Sequence, residues 1–169
     1  RAVAAEVGKH VGILVDLPGP KVRLGTFGNT SVRLESGTPL TLVPGLDTSD
    51  TSVLGVDYED LLVDVHPGDR LAVGDGSVIL RVESIDGDSA KASVLHGGPV
   101  QGRPGLHIPS DRLSMSTPTP EDLRLLDAFV DEGVDMVAIS FVRSAHDIRR
   151  VGTEPYPRGP LIVAKIETR

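Results

Sequence analysis

Val11-Gly-Ile-Leu-Val-Asp-Leu-Pro-Gly-Pro-Lys-Val-Arg23 sets the architecture, because two kinds of chain meet within it. Its first half, Val11 to Asp16, is a short apolar run with β-branched residues, the pattern of a strand buried on both faces, and Leu17-Pro-Gly-Pro20 breaks it sharply. From Lys21 to Pro109 the pattern turns to short alternating segments, with strands predicted at 39–44, 52–58, 70–85, 89–95 and 105–109. Pro67-Gly-Asp69, Asp75-Gly76 and Asp86-Gly-Asp88 fall at hairpin spacing, which predicts a small antiparallel barrel or sandwich. Thr119-Pro120-Glu121-Asp122 then opens a helix: a cap, a proline at the first helical position and a carboxylate three residues on. Leu123, Leu126, Phe129 and Val130 share one face of it, and Gly133 closes it. An apolar stretch at 134–142, a weak helix at 145–151 and a buried strand at 161–165 follow, which is parallel α/β order. The expected division is 1–20 and 114–169 as α/β frame, with an all-β module at 21–113 inserted between.

The 169 residues hold 39% hydrophobic and 24% charged side chains, and the mean hydropathy is +0.01, the composition of a globular chain. A net charge of −7 speaks against nonspecific binding of nucleic acid or an anionic membrane. No apolar run approaches the roughly 18 residues of a spanning helix. With no cysteine there are neither disulfides nor thiolate metal sites; two Tyr, three Phe and no Trp leave no base-stacking platform. The first residue is Arg1 rather than Met, and residues 1–10 have the pattern of a helix tail, so the expectation is a piece of a longer polypeptide.

Lys165 and Glu167 stand two apart at the end of the last strand, and period-two alternation sends both to one side. Spacing alone favours an ion pair closing the strand; the other reading is catalytic, since barrel enzymes gather their reactive groups at strand C-termini. Asp16 ends the first strand, where it is either a turn-capping aspartate or a member of that same group. Lys21 and Arg23 are either solvated or phosphate-holding cations. The tract Gly97-Gly98 to Arg103-Pro-Gly105 has the composition of a flexible, cationic hairpin tip without phosphate-loop spacing. The five histidines show no metal-ligand spacing.

Val15-Asp-Leu-Pro-Gly-Pro-Lys-Val-Arg-Leu-Gly25, Gly74-Asp-Gly76, Gly97-Gly98 with Gly105-Leu-His-Ile-Pro109, Gly133-Val-Asp-Met-Val-Ala-Ile-Ser-Phe-Val-Arg143 and Ala164-Lys-Ile-Glu167 resemble, in order and spacing, pyruvate kinase. The resemblance implies a partial (β/α)8 TIM barrel, strands three to five, with an inserted small all-β barrel acting as a lid. It implies phosphoryl transfer from phosphoenolpyruvate to ADP, giving pyruvate and ATP in glycolysis, in a cytoplasmic enzyme whose full-length parent is a homotetramer. Lys165 matches the lysine that stabilises the transferring phosphoryl and enolate charge, Glu167 one of two Mg²⁺ carboxylates (Mn²⁺ being an alternative ion), and Asp16 a carboxylate of the monovalent-cation site. Arg23 matches an arginine near the nucleotide phosphates. Pro104 stands where many members have a lid lysine, with Arg103 as the candidate substitute. Lys21 stands where potassium-requiring members have glutamate; its ammonium is the expected counter-charge of Asp16 in place of a monovalent cation, so K⁺ is expected not to be required. By itself the chain is expected to be inactive. Two other readings stay open: a Mg²⁺-dependent barrel aldolase or lyase acting on pyruvate or phosphoenolpyruvate, and a non-catalytic nucleotide-binding fragment.

Overall fold

The computed structural model describes residues 1–109 and 114–167. In chain order the elements are α1 (Ala2–Glu6), β1 (Leu14–Leu17), β2 (Val32–Leu34), β3 (Pro39–Pro44), β4 (Val53–Val56), α2 (Leu61–Asp64), β5 (Arg70–Val73), β6 (Val78–Asp86), β7 (Ser89–His96), β8 (Gly98–Val100), β9 (Leu106–His107), α3 (Pro120–Asp131), β10 (Met136–Ile139), α4 (Ala145–Arg149) and β11 (Leu161–Ala164). They fall into two compact units: Arg1–Pro20 with Met115–Arg169, and Lys21–Ser114. Residue 113, where the sequence pattern ends the β module, lies outside the described residues.

The first unit is a three-stranded parallel sheet in the order β1-β10-β11, with Leu17 opposite Ile139 and Ile139 opposite Ala164. Its core is Leu17, Leu126, Val137, Ile139, Val142 and Val151. Thr119 caps α3 in a reciprocal box with Asp122, and the helix closes with Gly133 N–H on Val130 O and Val134 N–H on Phe129 O, the paired bonds of a Schellman cap. Asp122 is only 1% exposed because it also accepts from Gly19 N at 3.1 Å, tying the helix start to the break after β1. The break needs glycine there: Gly19 has φ +68°, and a Cβ on it would sit 2.9 Å from Phe141 Cδ2 and 3.1 Å from Ser140 Cβ.

Within this chain the first and last strands are not buried as expected: among the described residues only β10 has a neighbour on each side, and Leu14 (48%) and Leu161 (47%) are substantially exposed.

The second unit carries a six-stranded sheet, β4-β3-β7-β6-β5-β9, and a separate antiparallel pair, β2 with β8. Period-two alternation drives Leu40, Leu42, Leu71, Val73, Leu80 and Val82 inward, each at most 4% exposed. The segment after Lys21 bridges both outer strands: Leu24 pairs with Val56, and Arg23 with Gly105 next to β9. Two details depart from the expected pattern. β3 and β4 run parallel, because the chain loops back through 45–52 rather than turning in a hairpin. Gly98–Val100 is no free tip but β8, held in a ladder against Val32–Leu34.

Candidate functional site

Parallel pairing brings the C-terminal ends of β1, β10 and β11 side by side, and each contributes a polar residue there. Asp16 lies within β1, opposite Ala138. Lys165 follows β11 and continues its ladder, donating its N–H to Ile139 O at 2.9 Å. Its Nζ meets both carboxylate oxygens of Asp16 at 2.9 Å, Ser140 Oγ at 2.8 Å and Glu167 Oε1 at 3.8 Å. A partly exposed ammonium is thus gripped by one carboxylate on two points, with a second carboxylate in Coulombic reach.

Glu167 is fixed by its other oxygen, which accepts from Phe141 N at 2.8 Å. Phe141 has φ +57°, a left-handed conformation that a bulky residue rarely adopts, so the turn after β10 holds backbone strain where it presents this N–H. Ser140 is 3% exposed and donates to Leu17 O at 2.6 Å, while Thr117 Oγ1 donates to Ser140 O at 2.8 Å. The sequence patterns did not single out Ser140; its only signal was the end of the apolar run, and the role of its hydroxyl emerges from the register of β1 on β10.

The site residues expected between 21 and 103 lie in the other unit. Lys21 is exposed and Arg23 partly buried. Arg23 Nη1 donates to the backbone carbonyl of Arg103 at 3.2 Å, so the Arg23 side chain lies against the Arg103 main chain. Arg103 reaches Asp47 at 3.5 Å and Asp57 at 3.6 Å. Asp16 does not depend on Lys21 for a counter-charge, because Lys165 supplies one.

Among the described residues no group of three His, Asp or Glu forms a metal cluster. Glu167 nevertheless offers a hard carboxylate donor beside a cationic point, which is the donor type Mg²⁺ takes when one or two carboxylates and substrate phosphates complete its shell. Asp16 is a second oxygen donor in the same cluster. No described helix is long and apolar enough to cross a membrane.

The family model for the pyruvate kinase barrel domain matches residues 1–169. The chain is similar to the pyruvate kinases of Mycobacterium tuberculosis (33% identity over 169 residues), Corynebacterium glutamicum (35% over 170) and Thermococcus litoralis (32% over 169). In each case 99% of this chain is covered but only 36% of the relative, so the chain spans about a third of the length of the curated relatives it matches. A model match over the whole sequence, relatives above 30% identity and the ordered motifs converge on one conclusion: this chain belongs to the pyruvate kinase family.

Proposed function

We propose that this chain carries one part of a phosphoryl-transfer site that passes the phosphoryl group of phosphoenolpyruvate to ADP, the glycolytic step that yields pyruvate and ATP in the cytoplasm. The observation that carries the reading is the convergence of Asp16 from β1 with Lys165 and Glu167 from the end of β11, beside Ser140 and the Phe141 N–H that follow β10. Phosphoryl transfer needs charge neutralisation and in-line positioning more than covalent chemistry from the protein. A β-phosphate oxygen of ADP forms the new P–O bond as the bond from phosphorus to the enol oxygen breaks; negative charge develops on the enol oxygen and stays spread over the phosphoryl group, and the enolate then takes a proton at its terminal carbon to give pyruvate. The Lys165 ammonium opposes that charge, and to do so it exchanges the Asp16 carboxylate for the substrate's oxygens. Glu167 is the residue that would hold Mg²⁺, or Mn²⁺; the ion, when bound, supplies Lewis-acid stabilisation of phosphoryl oxygens. Arg23 and Arg103 serve the nucleotide phosphates as forked donors.

In this reading β1, β10 and β11 are strands three, four and five of a (β/α)8 barrel, and 21–113 is its lid. The full-length parent is a homotetramer, and the isolated chain is inactive because the remaining strands and the second metal carboxylate lie elsewhere in the polypeptide. On the resemblance alone, Lys21 stands where potassium-requiring members have glutamate, and independence from K⁺ is proposed on that ground. A coupled assay of pyruvate formation from phosphoenolpyruvate and ADP, on this chain and on the extended gene product with Mg²⁺, is the test. Pyruvate from the extended product and none from the isolated chain is expected. An extended product that makes no pyruvate overturns the reading.

A further inference from the structure

We propose that Ser140 is a positioning residue for Lys165: its buried hydroxyl, anchored on the backbone of β1, fixes where the ammonium stands when substrate draws it away from Asp16. The inference rests on the phosphoryl-transfer reading of the same site.

A hydroxyl has one proton to give and two lone pairs to accept with. Ser140 Oγ lies 2.6 Å from Leu17 O and 3.4 Å from Asp16 Oδ1, so its proton goes to the carbonyl, the shorter and stronger bond. What it presents to Lys165 Nζ, at 2.8 Å, is therefore acceptor capacity alone. The carbonyl belongs to the residue paired with Ile139 in the β1–β10 ladder, and Ser140 is 3% exposed, so neither partner has room to rotate away.

Asp16 is different in both respects. Its side chain is 56% exposed, and its charge has the same sign as a phosphoryl group. An incoming phosphoryl anion competes with Asp16 for the ammonium, whereas it does not compete with a neutral hydroxyl that occupies another of the three ammonium donors. Of the ties that hold Lys165 in this structure, the one to Ser140 is the tie that persists through substrate binding. The adjoining Phe141 N–H holds Glu167 in the same turn, so a single corner after β10 sets both groups.

The experiment is a double-mutant cycle in the full-length parent with Ser140→Ala, Lys165→Met and the pair together, each checked by thermal melting. Losing the tie displaces the ammonium, and a displacement of about 1 Å costs on the order of 10²-fold in rate, so Ser140→Ala is expected to lower kcat by about 10- to 100-fold with KM for phosphoenolpyruvate little changed. In the Lys165→Met background the same substitution is expected to change kcat no further, because its effect passes through the ammonium. Ser140→Cys, which keeps the volume but offers a weaker acceptor, should repeat the pattern if the alanine variant folds poorly. Equal losses in both backgrounds, or no loss in the wild-type background, overturn the positioning role and leave the functional reading standing. Near-normal turnover by Lys165→Met overturns both.

Discussion

Within this chain the two units bury their sheets to different degrees. In the second unit, Leu42, Leu54, Leu71, Leu80 and Val82 are all fully buried, and the described charged groups are exposed or partly exposed apart from the buried Asp64. In the first unit the described core cluster is Leu17, Leu126, Val137, Ile139, Val142 and Val151, and within this chain β1 and β11 leave Leu14 and Leu161 substantially exposed. Yet the first unit gathers a lysine, two carboxylates, a buried hydroxyl and a strained backbone residue at one end of its sheet. Antiparallel alternation makes a core; parallel pairing brings three strand ends to one place, and reactive groups need that placement.

The largest test of this contrast is a packing test. Leu80→Ala, in the middle of the six-stranded sheet, is expected to cost about 2–5 kcal/mol, read as faster native-state hydrogen exchange of the β7 amides in the full-length protein. Val63→Ala, at 72% exposure on α2 of the same unit, should cost no more than about 0.5 kcal/mol. Comparable losses at both positions would contradict the core assigned to this unit.

Glu167→Gln separates charge from geometry, because the amide oxygen still accepts from Phe141 N while the negative charge is gone. The Mg²⁺ concentration for half-maximal rate should rise by at least about 10-fold, the lower end of the losses seen even for outer partners of metal ligands. An unchanged Mg²⁺ requirement would return Glu167 to the role of ion-pair partner.

A smaller effect is expected from Lys21. The full-length enzyme should turn over without K⁺ about as fast as with it at constant ionic strength, and Lys21→Glu should make it K⁺-dependent. Strong activation of the unmodified enzyme by K⁺ would refute this.

The smallest effect lies in the second unit, at Tyr58, Asp64 and Ser114. Burial opposes ionisation of Asp64, but hydrogen bonds from the hydroxyl and backbone N–H of Ser114 and from the Tyr58 hydroxyl outweigh it and hold the carboxyl below its ordinary value of 3.8. The stabilisation from Asp64 is thus present above pH 3.8 and is lost as the pH falls through its lower folded value. Tyr58 is pushed up to about 12 by burial and then by Asp64, so its contribution is complete below pH 10.0 and is lost as the pH rises towards 12. Tyr58→Phe should flatten the alkaline limb of a stability profile and Asp64→Asn the acid limb; unchanged limbs would show that other groups set them.

Much of this frame was legible in the sequence because its signals are local. Thr119-Pro120 and Asp122 announce α3 through capping chemistry, and alternation with Asp-Gly turns announces β5 to β7. What stayed hidden depends on partners distant in the chain. β2 and β8 are three residues each and exist only through one another. The parallel pairing of β4 follows from a return loop in which Asp50 accepts the N–H groups of Ser52 and Val53, both at 2.7 Å. At the site, Lys165, Glu167 and Asp16 could be nominated from strand ends, but the grip of Lys165 on Asp16 and the hydroxyl of Ser140 beneath it arise from the alignment of β1, β10 and β11.

The central claim is that Lys165 stabilises charge that develops during phosphoryl transfer, and the most direct measurement is Lys165→Met in the full-length parent, with turnover and phosphoenolpyruvate binding determined on the same preparation. The account predicts that kcat falls by roughly 10² or more, the scale of a lost electrostatic stabiliser, while binding changes far less. Near-normal kcat, or a loss confined to binding, would contradict it and leave the Lys165–Asp16 contact as an ion pair that only closes the strand.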